Sequence, residues 1–77
     1  MAIKIYTTPT CSYCNAAKRY FKENRIPFTE YNVARDMRRA EEMVKKSGQM
    51  SVPVIDVNGK VLVGFNKPEL ERALKRA

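Results

Sequence analysis

Seventy-seven residues, 44% hydrophobic and 30% charged, suit a single domain over residues 1–77 and leave no room for a second. No run approaches the ~18 apolar residues of a membrane-spanning helix, and the opening Met1-Ala2-Ile3-Lys4-Ile5-Tyr6 lacks the basic-then-apolar pattern of a secretory leader; a cytoplasmic location without membrane contact is expected. The net charge of +7 raises the question of nucleic acid, but bases and acids are interleaved and no nucleic-acid-binding motif is present, so no nucleic-acid partner is expected.

Ala2 to Tyr6 is short, rich in Ile and Tyr, and stops at the turn-forming Thr7-Thr8-Pro9-Thr10, which predicts a buried strand and a loop. From Ser12 to about Arg25, Cys14, Ala17, Tyr20 and Phe21 recur at helical spacing, with Lys18, Arg19, Lys22 and Glu23 on the other face. Thr10 is placed to cap this helix, leaving Cys11 at its mouth. Phe28 to Val33 alternates as a second strand, and Asp36 to Lys46 returns to helical spacing through Met37, Ala40, Met43 and Val44 before Ser47-Gly48. On that helix Arg38–Glu42, Glu41–Lys45 and Glu42–Lys46 stand four apart, the spacing of weak surface ion pairs. Val52 to Val57, Asn58-Gly59 and Lys60 to Val63 predict a hairpin, since Asn-Gly supplies the positive φ of a two-residue turn. Asn66 or Lys67 opens a last helix, with Pro68 and Glu69 in its first turn and Leu70, Ala73 and Leu74 facing inward.

The order β-α-β-α-β-β-α predicts an α/β fold, a four-stranded mixed sheet flanked by three helices in a thioredoxin-like arrangement, because a strand–helix–strand unit makes parallel neighbours and a hairpin makes antiparallel ones. The first loop then lies at the carboxyl end of the first strand, the usual edge for chemistry in such sheets.

Cys11-Ser12-Tyr13-Cys14 is the motif with obvious chemistry. Two intervening residues hold both sulfurs within one helical turn, and the unpaired amides and positive dipole at a helix start favour a thiolate. Cys11 is therefore the expected nucleophile, and Cys14, deeper on the apolar face, the thiol that resolves the mixed disulfide. A structural disulfide closes too short a loop to stabilise the fold much. A zinc site needs four ligands, and two cysteines with no histidine supply them only across a dimer, whereas a monomer is expected. Two inert buried thiols fit poorly beside a loop and a helix start. Pro53 within Ser51-Val52-Pro53-Val54-Ile55 is either an edge or strand-start proline or a cis-proline beside the dithiol.

Ile5-Tyr6-Thr7, the Cys-Ser-Tyr-Cys motif with Lys18 after it, Ser51-Val52-Pro53-Val54 and Val63-Gly64-Phe65, in this order and spacing, resemble glutaredoxins across nearly the whole chain, most closely the short bacterial glutaredoxin-like proteins. The resemblance implies a dithiol disulfide oxidoreductase with a cis Pro53, Val52 offering main-chain hydrogen bonds, and Tyr13, Gly64, Phe65 and Asn66 at the glutathione or substrate groove. It further implies glutathione as reductant, no tightly bound cofactor, and disulfide-containing proteins or glutathione mixed disulfides as substrates. Three departures bear on the donor. Thr8 stands where glutathione-binding members carry a cation, Val63-Gly64 replaces a Gly-Gly pair, and Asn66-Lys67 replaces the acid that holds the glutamyl amine. Arg35, Arg38 or Lys18 could hold the tripeptide carboxylates instead, and Asn66 could serve simply as a helix cap. The alternative donor is thioredoxin reductase, as for the hydrogen donors of ribonucleotide reductase. Ser12 in place of proline also matches glutaredoxins that bridge an iron–sulfur cluster with glutathione, a carrier role kept as a further alternative.

Overall fold

The computed structural model describes residues 3–50 and 52–76. Ala2, where the pattern predicts the first strand to begin, and Ser51 of the second motif lie outside the described residues. The elements run β1 (Ile3–Thr7), α1 (Ser12–Glu23), β2 (Thr29–Asn32), α2 (Met37–Ser47), β3 (Val54–Val57), β4 (Lys60–Val63) and α3 (Lys67–Arg76). They form one four-stranded sheet of order β2-β1-β3-β4, with β1 parallel to β2 and antiparallel to β3, and β4 antiparallel to β3. This is the mixed sheet with three helices that the periodicities predict.

Alternation along β1 splits the interior in two. Ile3 and Ile5 join Ile55, Val57 and Leu62 against Ala17 and Phe21 of α1 and Leu70 and Ala73 of α3. Tyr6 points to the other face, where it meets Val54 and Met43 of α2.

Helix ends follow local chemistry. Asn24 caps α1 at its C-terminus and Arg25 takes a left-handed φ of 55°, so the helix ends two residues before the pattern predicts. Asp36 lies just outside α2 as its N-cap, accepting from the amides of Arg38 and Arg39, and Gly48 closes the helix with φ 73°. The ion pairs of α2 differ from the four-residue expectation. Glu42 pairs with Arg39 at 3.0 Å and Lys46 at 3.9 Å, while neither Arg38–Glu42 nor Glu41–Lys45 forms among the described residues. Glu42 is instead drawn toward the Tyr6 hydroxyl, and Lys46 toward Asp56 of β3 at 2.7 Å, partners that spacing within one helix does not reveal.

The topology collects four loops at one edge. β1 and β2 both end there, β3 starts there with Val54 opposite Tyr6, and β4 ends there with Val63 opposite Val54. Cys11, Pro53 and Gly64 flank strand ends at that edge. Pro53 brings no N–H to a ladder, and β3 begins one residue after it, two residues later than the apolar run predicts.

Candidate active site

Cys11 itself is the N-cap of α1, with extended φ and ψ of −90° and 113°, and its Sγ accepts the amide of Cys14 at 3.1 Å. Thr10, the cap expected from sequence, is exposed, and a cap one residue later turns sulfur toward the open helix amides where a threonine hydroxyl was foreseen. The Cys11 amide donates to Thr8 O at 3.3 Å, closing the loop beneath it. A backbone N–H aimed at sulfur on the positive end of a helix is an arrangement that stabilises an anion there. Cys11 is half-buried, so its sulfur is within reach of a partner, and Tyr13 beside it is 68% exposed.

Cys14, one turn in, is fully buried with Ala17 and Phe21. Burial, with the hydrogen bond to Cys11 adding to it, pushes its thiol up to about 12. The two cysteines are both free thiols, one partly open and one shut away.

Lys18, a further turn along α1, donates to Glu30 Oε2 of β2 at 2.9 Å, and the buried Thr7 hydroxyl donates to the same oxygen at 2.7 Å. Those bonds, Thr7 first and Lys18 second, hold the Glu30 carboxyl below the ordinary carboxylate range. Neither Glu30 nor the Thr7 hydroxyl stands out as a site group from local spacing in the sequence. A signal was present: in the alternation of Phe28 and Glu30, an acid stands on the same side of the strand as a residue that packs toward α1.

The Val52–Pro53 peptide bond is cis, and Pro53 is buried. Its carbonyl accepts the amide of Gly64 at 2.7 Å, which joins the start of β3 to the turn after β4. Gly64 holds a left-handed φ of 80°, a conformation that a side chain would strain. Phe65 leans on the α1/α3 core, its ring 6.1 Å from that of Tyr20. Asn66 Oδ1 accepts the amide of Glu69 at 3.3 Å in the first turn of α3, and the Lys67 ammonium sits 5.8 Å from the Tyr20 ring centroid. The fold therefore gathers Cys11, Cys14, Pro53 and Gly64 around one sheet edge, with Phe65 and Asn66 leading away toward α3.

A family model described as Glutaredoxin matches residues 3–62. An uncharacterised glutaredoxin-like 8.6 kDa protein of the rubredoxin operon in Clostridium pasteurianum is 47% identical over 74 residues, covering 96% of this chain and 99% of its own. Glutaredoxin 3 of Escherichia coli K12 is 34% identical over 62 residues, covering 80% of this chain and 75% of its own. Among solved structures, the glutaredoxin-like NrdH-redoxin from Escherichia coli, described there by a thioredoxin-like activity profile, superposes with a TM-score of 0.84 at 30% identity, covering 94% of this chain and 93% of its own. Among the described residues no helix is long and apolar enough to cross a membrane.

Proposed function

The chain belongs to the glutaredoxin family, and from that premise we propose that it is a two-cysteine oxidoreductase for protein disulfides. Cys11 as thiolate attacks a substrate disulfide, forming a mixed disulfide and releasing one substrate thiol. Cys14 then gives up its proton and attacks the Cys11 sulfur, the second substrate thiol leaves, and an internal disulfide remains. The substrate gains two electrons and the dithiol loses them, until a donor restores it. The observation that carries this reading is the asymmetry of the pair: Cys11 half-open and holding a backbone N–H on sulfur, Cys14 fully buried. Val52, with a main chain that finds no backbone partner among the described residues, stands beside the cis Pro53 where an extended substrate could pair. Limited alkylation at neutral pH with mass mapping tests the roles. Cys11 is expected to be modified first, and preferential labelling of Cys14 overturns the assignment.

The reductant divides the family. Glutathione is supported by the Cys-Ser-Tyr-Cys motif and by the similarity to glutaredoxin 3. A thioredoxin-reductase type of donor is favoured by one local observation. Where an acid would meet the glutamyl amine, the Asn66 carbonyl is occupied in capping α3 and Lys67 brings a cation. Side-by-side NADPH oxidation with glutathione plus its reductase, and with thioredoxin reductase, separates the two. Faster turnover with thioredoxin reductase is the expected outcome, and a preference for glutathione reverses it.

A further inference from the structure

The dithiol reaction leaves one cluster beside it unused: Lys18, Glu30 and Thr7. As a stabilising device it is weak, because the Lys18 and Glu30 side chains are 25% and 37% exposed, and pairs so open contribute at most about 1 kcal/mol. Its geometry is more restrictive than an ordinary surface pair. Both donors meet the same oxygen, Glu30 Oε2, and one of them is a hydroxyl on the buried Thr7 of the central β1. A freely rotating glutamate would gain nothing from so fixed a seat.

We propose that Glu30 is a positioning residue for the second half of the reaction, holding the Lys18 ammonium alongside α1 so that its positive charge offsets the negative charge Cys14 takes on as it attacks the mixed disulfide. The inference rests on the two-cysteine reading above. Cys14 and Lys18 are four residues apart on α1, so Lys18, half-buried at the border of the polar side, is a helical neighbour of the buried Cys14. Glu30 reaches that face from β2, and Thr7, which locks Glu30, adjoins Thr8, whose carbonyl accepts the Cys11 amide at 3.3 Å. The titratable groups that bear on Cys14 are Cys11 at the N-cap and Lys18 of α1; Glu30 of β2 holds Lys18 and is itself drawn by Lys22 of α1. Lys18 acts on the buried thiol in the direction the attack requires. In the step itself, the Cys14 S–H bond breaks, the Cys14–Cys11 bond forms and the bond from Cys11 to the substrate sulfur breaks. The proton goes to the departing thiolate, or to water where that thiolate is too weak a base. No other reactant is needed.

Glu30 places the cation but also neutralises it, and the two effects predict opposite results when it is removed. Ellman's reagent reads each half-reaction, since one coloured thiolate is released when Cys11 attacks and a second when Cys14 resolves. Stopped-flow traces are taken for wild type, Glu30→Gln, Lys18→Gln and Lys18→Arg across pH 6–9. In Glu30→Gln and Lys18→Gln the first phase is expected to stay within about twofold and the second to slow about fivefold, the size of effect for one partly screened charge on a helical neighbour. The pH limb of the second phase should move upward in both, and Lys18→Arg should restore it. A second phase in Glu30→Gln as fast as wild type or faster overturns the positioning role, as does a Lys18→Arg variant that stays as slow as Lys18→Gln. Failure of the wild type to release a second thiolate would overturn the two-cysteine reading itself, a separate outcome.

Discussion

The two faces of the sheet are held by different physics. On the α1/α3 face, Ile3, Ile5, Ile55, Val57 and Leu62 meet Ala17, Phe21, Leu70 and Ala73, and aromatic contacts such as Phe21–Phe28 at 5.3 Å extend the cluster. On the α2 face the buried apolar set shrinks to Tyr6, Val54 and Met43, and polar groups make up the difference. Tyr6 donates to Glu42, Lys46 bonds both the Tyr6 hydroxyl at 3.1 Å and Asp56 at 2.7 Å, and the Arg39 guanidinium lies 4.0 Å above the Tyr31 ring. The dithiol belongs to the first face: α1, which carries it, is anchored by contacts that salt and pH barely touch. The second face carries no cysteine and is free to be held by charge.

The largest expected effect breaks the apolar face. Phe21→Ala removes a fully buried ring and should cost about 3–5 kcal/mol, a large part of the ~4–12 kcal/mol that a domain this size commands. Met43→Ala, the matching truncation under α2, should cost about 2–3 kcal/mol. Urea titrations of both variants measure the difference, and a greater loss for Met43→Ala would reverse the comparison.

Next in size is the charge network. Lys46→Met leaves the buried Asp56 without its cation, though still bonded to the Gly59 amide at 2.8 Å, at a cost of about 1–3 kcal/mol. The pH dependence follows from three shifts. Burial, the largest influence on Asp56, raises it, but the Lys46 bond, the Gly59 amide and nearby positive charge together outweigh it and the carboxyl lies below its ordinary 3.8. The Tyr6 hydroxyl, then Arg39, hold Glu42 below 4.5. Both carboxylates therefore contribute stability that is complete above those ordinary values and is lost as pH falls through their lower folded ones. Lys46 is raised, first by Asp56, so its contribution is complete below 10.5 and is lost as pH climbs through the higher folded value. Thermal melts should show a plateau between about pH 5 and 10 with a fall on each side. Lys46→Met should shallow both falls, the alkaline one keeping the share of the Tyr6 hydroxyl, which burial also raises. An alkaline limb unchanged in that variant would place the pH sensitivity elsewhere, and added salt should destabilise the wild type more than the variant.

What the sequence made legible were features written in local spacing. Cys14, Ala17 and Phe21 repeat at helical intervals and are buried; Asn58-Gly59 turns as the dipeptide requires, with φ of 50° and 100°. The four-residue spacing on α2 holds for Glu42–Lys46 but not for Arg38–Glu42 or Glu41–Lys45 among the described residues. It also leaves out the partners that Glu42 and Lys46 find 36 and 10 residues away, on strands whose register no helix pattern encodes. Glu30 escaped notice for the same reason, its partners lying 23 and 12 residues off. The cap of α1 was off by one residue because a cysteine is an unusual cap, and only the backbone shows that its sulfur takes the role.

The smallest expected effect lies where α3 leaves the apolar face. Asn66→Ala removes an exposed and long cap bond of 3.3 Å, which at a helix start is worth about 1 kcal/mol or less. Asn66→Asp retains the acceptor and sets a negative charge at the positive end of the helix, so stability should return to within about 0.5 kcal/mol of wild type. The pair separates two jobs for one residue. If the missing acid is what disfavours glutathione, Asn66→Asp raises glutathione-driven turnover while the alanine variant does not, and thioredoxin-reductase-driven turnover is the same in both. Should the aspartate leave glutathione turnover unmoved, the residue is a cap and nothing more, and donor choice must be sought nearer the dithiol, at Thr8 or Tyr13.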